Sequence, residues 1–357
     1  MGLNVSLKMS FGAILIIGVI VVVMMVVMYG GRGDESSGGG ELVNKPPVVG
    51  VGGEAVESAP VGGDLKYFMK EDFSRHTFLV KYVSEQKNVL TKAGSAPKSM
   101  KEERFGVVLR MSPAGADEEG QLKLRMKTEQ LELELFGVKI ESKSLVPPPA
   151  VEAVAELSDI HRVLQILAGM SWEVWVDTKT NYRVTNVIGE NKTAAFAAES
   201  EVFKRYFKSY QEMLEKEVAS GVVMAAGDYL PGKEVKVGQK WDIAIIPGGV
   251  EDGPFPIQTQ CRLDELVREE EKELARVTYA IGYQSSREEE RTVDGQSATV
   301  KKKLMDGGGE VVFDLSEDFA RDFSMNYKNT IDLLFEDESE GVLTMEVEVT
   351  IEKQIIK

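Results

Sequence analysis

The chain has 357 residues, of which 43 % are hydrophobic and 28 % charged, with a formal net charge of −16. That acidity argues against a nucleic-acid partner, because neutralising phosphates takes clustered basic residues. One cysteine excludes an intramolecular disulfide framework, and the length allows one large core.

Phe11 to Tyr29 is a run of 19 uncharged, mostly apolar residues. As a helix it would span roughly 28 Å, close to the ~30 Å hydrocarbon core of a bilayer. No small-residue cleavage pattern follows it, so it reads as a retained transmembrane anchor rather than a cleaved signal peptide. Lys8 precedes the run, while Asp34 and Glu35 follow it closely. The positive-inside rule therefore puts residues 1–10 in the cytoplasm. Everything after the anchor is expected outside it, in a single-pass cell-membrane protein facing the periplasm. Residues 30–64 hold 11 glycines and three prolines. Such a segment cannot bury enough apolar surface to offset its ordering entropy, and is expected to be a disordered stalk.

Residues 65–357 are expected to form one β-rich extracytoplasmic domain. Leu122, Leu124 and Met126 alternate with basic residues, and Leu131, Leu133 and Leu135 alternate with glutamates, which predicts an antiparallel hairpin with opposite charges facing across it. At Phe136-Gly137 the apolar parity slips, predicting a bulge or bend. Asp294-Gly295 is a favoured type I′ turn pair, and equidistant pairing about it sets Glu288 against Lys301. Met345, Val347, Val349 and Ile351 alternate with polar residues in a strand buried on one face. Further strands are expected at 74–84, 104–111, 172–177, 182–188, 239–246, 256–263, 273–284, 309–315 and 320–334. Between them, Gly307-Gly308-Gly309 reads as a turn.

Two helices interrupt the strands. One spans 150–168, with Leu157, Ile160, Leu164 and Leu167 at helical spacing and a stop at Gly169. The other spans 193–218 and carries an aromatic stripe: Phe196, Phe203, Tyr206, Phe207 and Tyr210. The fold class is α+β, mainly antiparallel β, as a large curved sheet or half-barrel with two helices.

Nothing announces chemistry. His76 sits in a strand pattern and His161 on a helix, each alone. Neither belongs to a metal-ligand spacing, and no nucleophile elbow or phosphate loop is present. No catalytic residue, metal or cofactor is expected.

Leu230-Pro231-Gly232-Lys233 through Val237-Gly238-Gln239-Lys240-Trp241 is similar to the "LP…PVxxGdxW" element of the DUF6263-like bacterial envelope proteins, a family of unknown function. Gly309-Glu310-Val311-Val312-Phe313-Asp314 resembles the "G…fD" hairpin of that family, and Leu167 to Val187 fits its middle strand pair. The resemblance implies an exported, lipoprotein-like β domain and supplies no active site. The helical anchor and missing lipobox cysteine depart from its usual pattern. By architecture alone, a curved sheet with helices at its opening is similar to lipid carriers of the LolA/LppX type. The expectation is a non-catalytic, membrane-anchored envelope binding domain for a lipid or other apolar ligand, held between the sheet and the aromatic helix. Two alternatives stand beside it: a structural protein docking another envelope protein, and a hydrolase with an unrecognised site.

Overall fold

The computed structural model describes residues 59–60, 74–116, 121–147, 156–177, 183–189, 199–219, 221–223, 235–245, 257–269, 271–286 and 288–356. The expected anchor at 11–29, nearly all of the stalk, and Phe196 lie outside them. No helix among the described residues is long and apolar enough to cross a membrane.

The domain is mainly antiparallel β, built on one 14-stranded sheet. In chain order its strands are β1 (Ala59–Pro60), β2 (Thr77–Lys92), β3 (Lys98–Ala116), β4 (Gln121–Leu135), β5 (Val138–Glu141), β6 (Ser171–Asp177), β7 (Arg183–Gly189), β8 (Lys240–Ile245), β9 (Ile257–Glu269), β10 (Lys272–Ser285), β11 (Glu289–Val293), β12 (Gln296–Asp314), β13 (Phe319–Phe335) and β14 (Glu340–Ile356). The main path across the sheet runs β1-β9-β10-β12-β13-β14-β2-β3-β4-β6-β7. β11 pairs with β12, β5 with β4, and β8 with β9. Two helices, α1 (Leu157–Leu167) and α2 (Glu201–Met213), pack on each other, and α2 continues through one wide π turn, Leu214–Val218.

Alternation decides which face each strand buries. In β14 every odd residue from Gly341 to Lys353 is buried, and all the even ones are exposed or half-exposed. The same inner face takes Phe78, Val80 and Tyr82 of β2, Phe105, Val107 and Leu109 of β3, and Phe323 of β13. These pack with the apolar sides of α1 and α2 into one continuous core.

The predicted hairpin within residues 122–135 is instead a single strand, β4. Thr128-Glu129-Gln130 contains no residue that favours φ > 0, so the chain cannot reverse there cheaply. A bulge opposite Val108/Leu109 shifts the buried parity from Met126 and Thr128 to Leu131. That bulge also divides the strand's free edge: Glu132–Leu135 pair with β5, and Gln121–Lys127 with β6. α1 bridges the two, ending where Gly169 N donates to Thr128 O at 2.8 Å. The expected bend at Phe136-Gly137 is a tight hairpin turn with both φ angles positive, +47° and +78°. Asp294-Gly295 turns with the same signs, and Lys301 Nζ meets Glu288 Oε1 at 2.7 Å.

Gly307-Gly308-Gly309 is not a turn. It lies inside β12, paired on both sides. A Cβ at Gly307 would overlap Asn326 O and Tyr327 Cα, and one at Gly309 would overlap Ser324 O, so three glycines allow neighbouring strands to approach unusually closely.

One end of the sheet curls onto its own inner face. Lys98, starting β3, holds both carboxylate oxygens of Asp294, in the β11–β12 turn, at 2.8 and 2.6 Å. β12 and β3 are separated by β13, β14 and β2. At ~4.8 Å per strand a flat sheet would hold them about 19 Å apart. The curl encloses a second apolar cluster that includes Leu90, Val300, Ile331, Leu333, Phe335 and Leu343.

Candidate functional site

The aromatic stripe of α2 faces the sheet. Ser200 starts the helix, its hydroxyl accepting from Phe203 N at 3.0 Å. Phe203, Tyr206, Phe207 and Tyr210 are 0, 4, 4 and 6 % exposed. Phe203 stacks on Phe207, Tyr206 on Tyr210, and Tyr210 on Phe105 of β3. Burial and the 2.5 Å bond to Glu156 both raise the pKa of Tyr206. All four rings are occupied by packing against protein.

The histidines have structural surroundings. His161 is buried on α1, its Nε2 3.1 Å from Ser144 O. His76 Nε2 lies 3.4 Å from Glu317. Cys261 is buried, and burial followed by the nearby Asp242 pushes its thiol up to about 12. Asp314, the late element of the "G…fD" pattern, is fully buried. Its Oδ1 accepts from Ser316 N and Glu317 N, and its Oδ2 meets Lys272 Nζ at 3.0 Å. Trp241 follows the Lys236–Gln239 turn into the core. Among the described residues no three His, Cys, Asp or Glu side chains are grouped to hold a metal ion.

The other face of the sheet carries an open trough of about 790 Å³. Strand registers define its course. Ala280, Gly308, Asn326, Glu348, Glu85, Arg104 and Glu134 are successive direct partners across β10, β12, β13, β14, β2, β3 and β4. All seven line the trough, which therefore crosses the strands at right angles. Six strand intervals of ~4.8 Å make it about 29 Å long.

The floor changes character along that length. At the β10–β13 end it is small and uncharged, with Ala280, Gly308 and Asn326. From β14 to β4 it is ionic. Glu348 stands directly opposite Glu85, a like-charge pairing that disfavours the sheet. Glu85 accepts from Arg104 Nε at 2.8 Å, and Arg104 Nη1 reaches Glu132 at 2.8 Å. The next row alternates in sign: Asp306, Lys328, Glu346, Lys87, Glu102. Among the described residues, the ion pair within that row is Lys328 with Glu346, at 3.2 Å. On the other side Arg276 holds Glu310 at 3.2 Å, yet burial still raises the pKa of Glu310.

The trough is invisible in the sequence, because its residues come from seven separated strands. The nearest local signals are the glycine triplet and the polar parity of each strand. Neither says that those polar faces share one concavity.

No family model matches the chain, and no curated protein matches it. Among solved structures it is similar to lipovitellin in a study of its lipid–protein interactions. The identity is 10 % and the TM-score 0.37, over 80 % of this chain and 26 % of that one. The chain thus spans about a quarter of lipovitellin's length. It also overlaps the binding domain of botulinum neurotoxin serotype C1, at 5 % identity and TM-score 0.12, over 76 % of this chain and 79 % of that one.

Proposed function

We propose that this chain is a non-catalytic binding module of the cell envelope, tethered through Phe11–Tyr29, whose ligand lies in the transverse trough. The observation that carries the reading is the trough itself, a concavity on the sheet face turned away from the main core. A ligand between the inner face and α2 would have to displace rings that are already stacked and buried. The trough needs no such rearrangement, since its side chains are solvated before binding. The structural partners of His76 and His161 favour a binding role over a hydrolytic one. The apolar run supports the tether.

Filling the trough tests this. Asn326→Trp and Ala280→Trp each replace an exposed outer-face residue by one that would occupy the floor. The full chain, extracted in detergent from its own host's membranes, is analysed by native mass spectrometry beside both variants. A species retained by the natural chain and lost from both variants, at unchanged melting temperature, supports the reading. Equal retention by all three overturns it.

A further inference from the structure

We infer that the trough takes an extended, lysine- or arginine-rich polypeptide segment. This rests on the trough being the binding surface, and it adds the chemistry of the occupant.

Charge is the first argument. Four trough carboxylates, those of Asp306, Glu102, Glu134 and Glu348, have no ion-pair or hydrogen-bonding partner among the described residues. The basic side chain left in the same condition is Lys87. Arg104, Arg276 and Lys328 are each already held by a neighbouring carboxylate. What the trough offers a ligand is therefore unsatisfied negative charge. The facing pair Glu348 and Glu85 sharpens this, because Arg104 compensates Glu85 and leaves the facing Glu348 without a cation among the described residues.

Shape is the second argument. A floor about 29 Å long accommodates roughly nine residues of extended chain at ~3.3 Å each. Its uncharged end suits a backbone. Gly308 and Ala280 project almost nothing, and the exposed amide of Asn326 can both donate to and accept from a peptide group. Its ionic end suits cationic side chains, with Glu348, Glu85 and Glu134 in one row and Glu346 and Glu102 in the next. A compact cation would fill one such position and leave the rest of the trough empty.

The test uses the full chain in detergent micelles and two labelled nonapeptides, oligolysine and oligoglutamine, followed by fluorescence anisotropy. Oligolysine should bind and oligoglutamine should not. Raising the salt from 0.05 to 0.5 M should weaken binding, as screening predicts. The double variant Glu348→Gln, Glu85→Gln should weaken it roughly tenfold, the scale of two lost solvated contacts. Asn326→Trp should abolish it. A control, Glu336→Gln with Glu340→Gln, removes two exposed charges outside the trough and should change little. Equal binding of both peptides, blocked by Asn326→Trp, overturns the cation preference while leaving the trough as the site. Oligolysine binding that survives Asn326→Trp, or falls equally with the control pair, overturns both, since the chain's overall acidity would explain it. No binding of either peptide overturns the polypeptide assignment alone, and the co-purified species then decides the rest.

Discussion

The Tyr279 hydroxyl of β10 donates to the Ser324 carbonyl of β13 at 2.8 Å, reaching across the intervening strand β12. It does so over Gly309, where a Cβ would sit 2.5 Å from that hydroxyl. Tyr279 also stacks on Phe323, so one tyrosine ties three strands together beneath the glycine triplet.

Gly309→Ala should therefore destabilise the domain by about 3 kcal/mol, the cost of forcing a methyl group into close-packed backbone. Gly282, three strand positions along β10 from Tyr279 and on the outer face, has nothing within 4 Å of its missing Cβ. Gly282→Ala should be neutral or raise stability by about 0.5 kcal/mol through reduced unfolded-state entropy. Urea unfolding followed by tryptophan fluorescence separates the two. Equal effects would show that close approach is not what the triplet is for.

The curled end of the sheet poses a choice between its ion pair and its apolar cluster. Lys98 is more than half exposed, and solvated pairs contribute about 0–1 kcal/mol. Leu333 is 3 % exposed within the enclosed cluster. Lys98→Gln should cost less than 1 kcal/mol and Leu333→Ala about 2–5 kcal/mol. The reverse ranking in urea unfolding would mean that the clasp, not apolar burial, holds the curl.

Replacing Phe207 by alanine should cost about 3–5 kcal/mol in the same assay, as expected for a buried aromatic that stacks on Phe203. A cost below 1 kcal/mol would point to slack space beneath α2, of the kind an apolar ligand needs.

Alkaline stability follows from the buried tyrosines. Burial, then Glu217, raises Tyr327 from 10.0 to about 12, and the same two causes dominate the upward shift of Tyr82. A folded value above the unfolded one means that the native state keeps its proton longer. The contribution is then complete below pH 10 and is lost between about pH 10 and 12. There the unfolded chain binds fewer protons, so stability falls as pH rises, by up to ~1.4 kcal/mol per pH unit for each such tyrosine. Tyr327→Phe should flatten that slope, as read by urea midpoints at pH 9, 10 and 11.

Much of the strand content was legible, because one-sided burial imposes period 2 on the sequence. β14 and the Asp294-Gly295 hairpin follow from alternation and turn chemistry alone. The failures have specific causes. In β4 a parity slip that reads as two strands is one bulge, and nothing local distinguishes them except the missing turn residue. In β12 three glycines read as a turn because their use, close approach of β10 and β13, is set by distant strands. The aromatic stripe of α2 was readable as a helix face, but only its stacking on Phe105 and on itself shows what that face touches.

By itself, then, the sequence determined the α+β class, most strand positions, the two helices and the acidity of the chain, since each is a local or additive property. The tertiary structure decided that Ala280, Gly308, Asn326, Glu348, Glu85, Arg104 and Glu134 form one row. Register between strands far apart in the chain is a cooperative outcome of packing the inner face. The trough on the outer face follows from that packing, in residues whose own local pattern is only that of solvated strand.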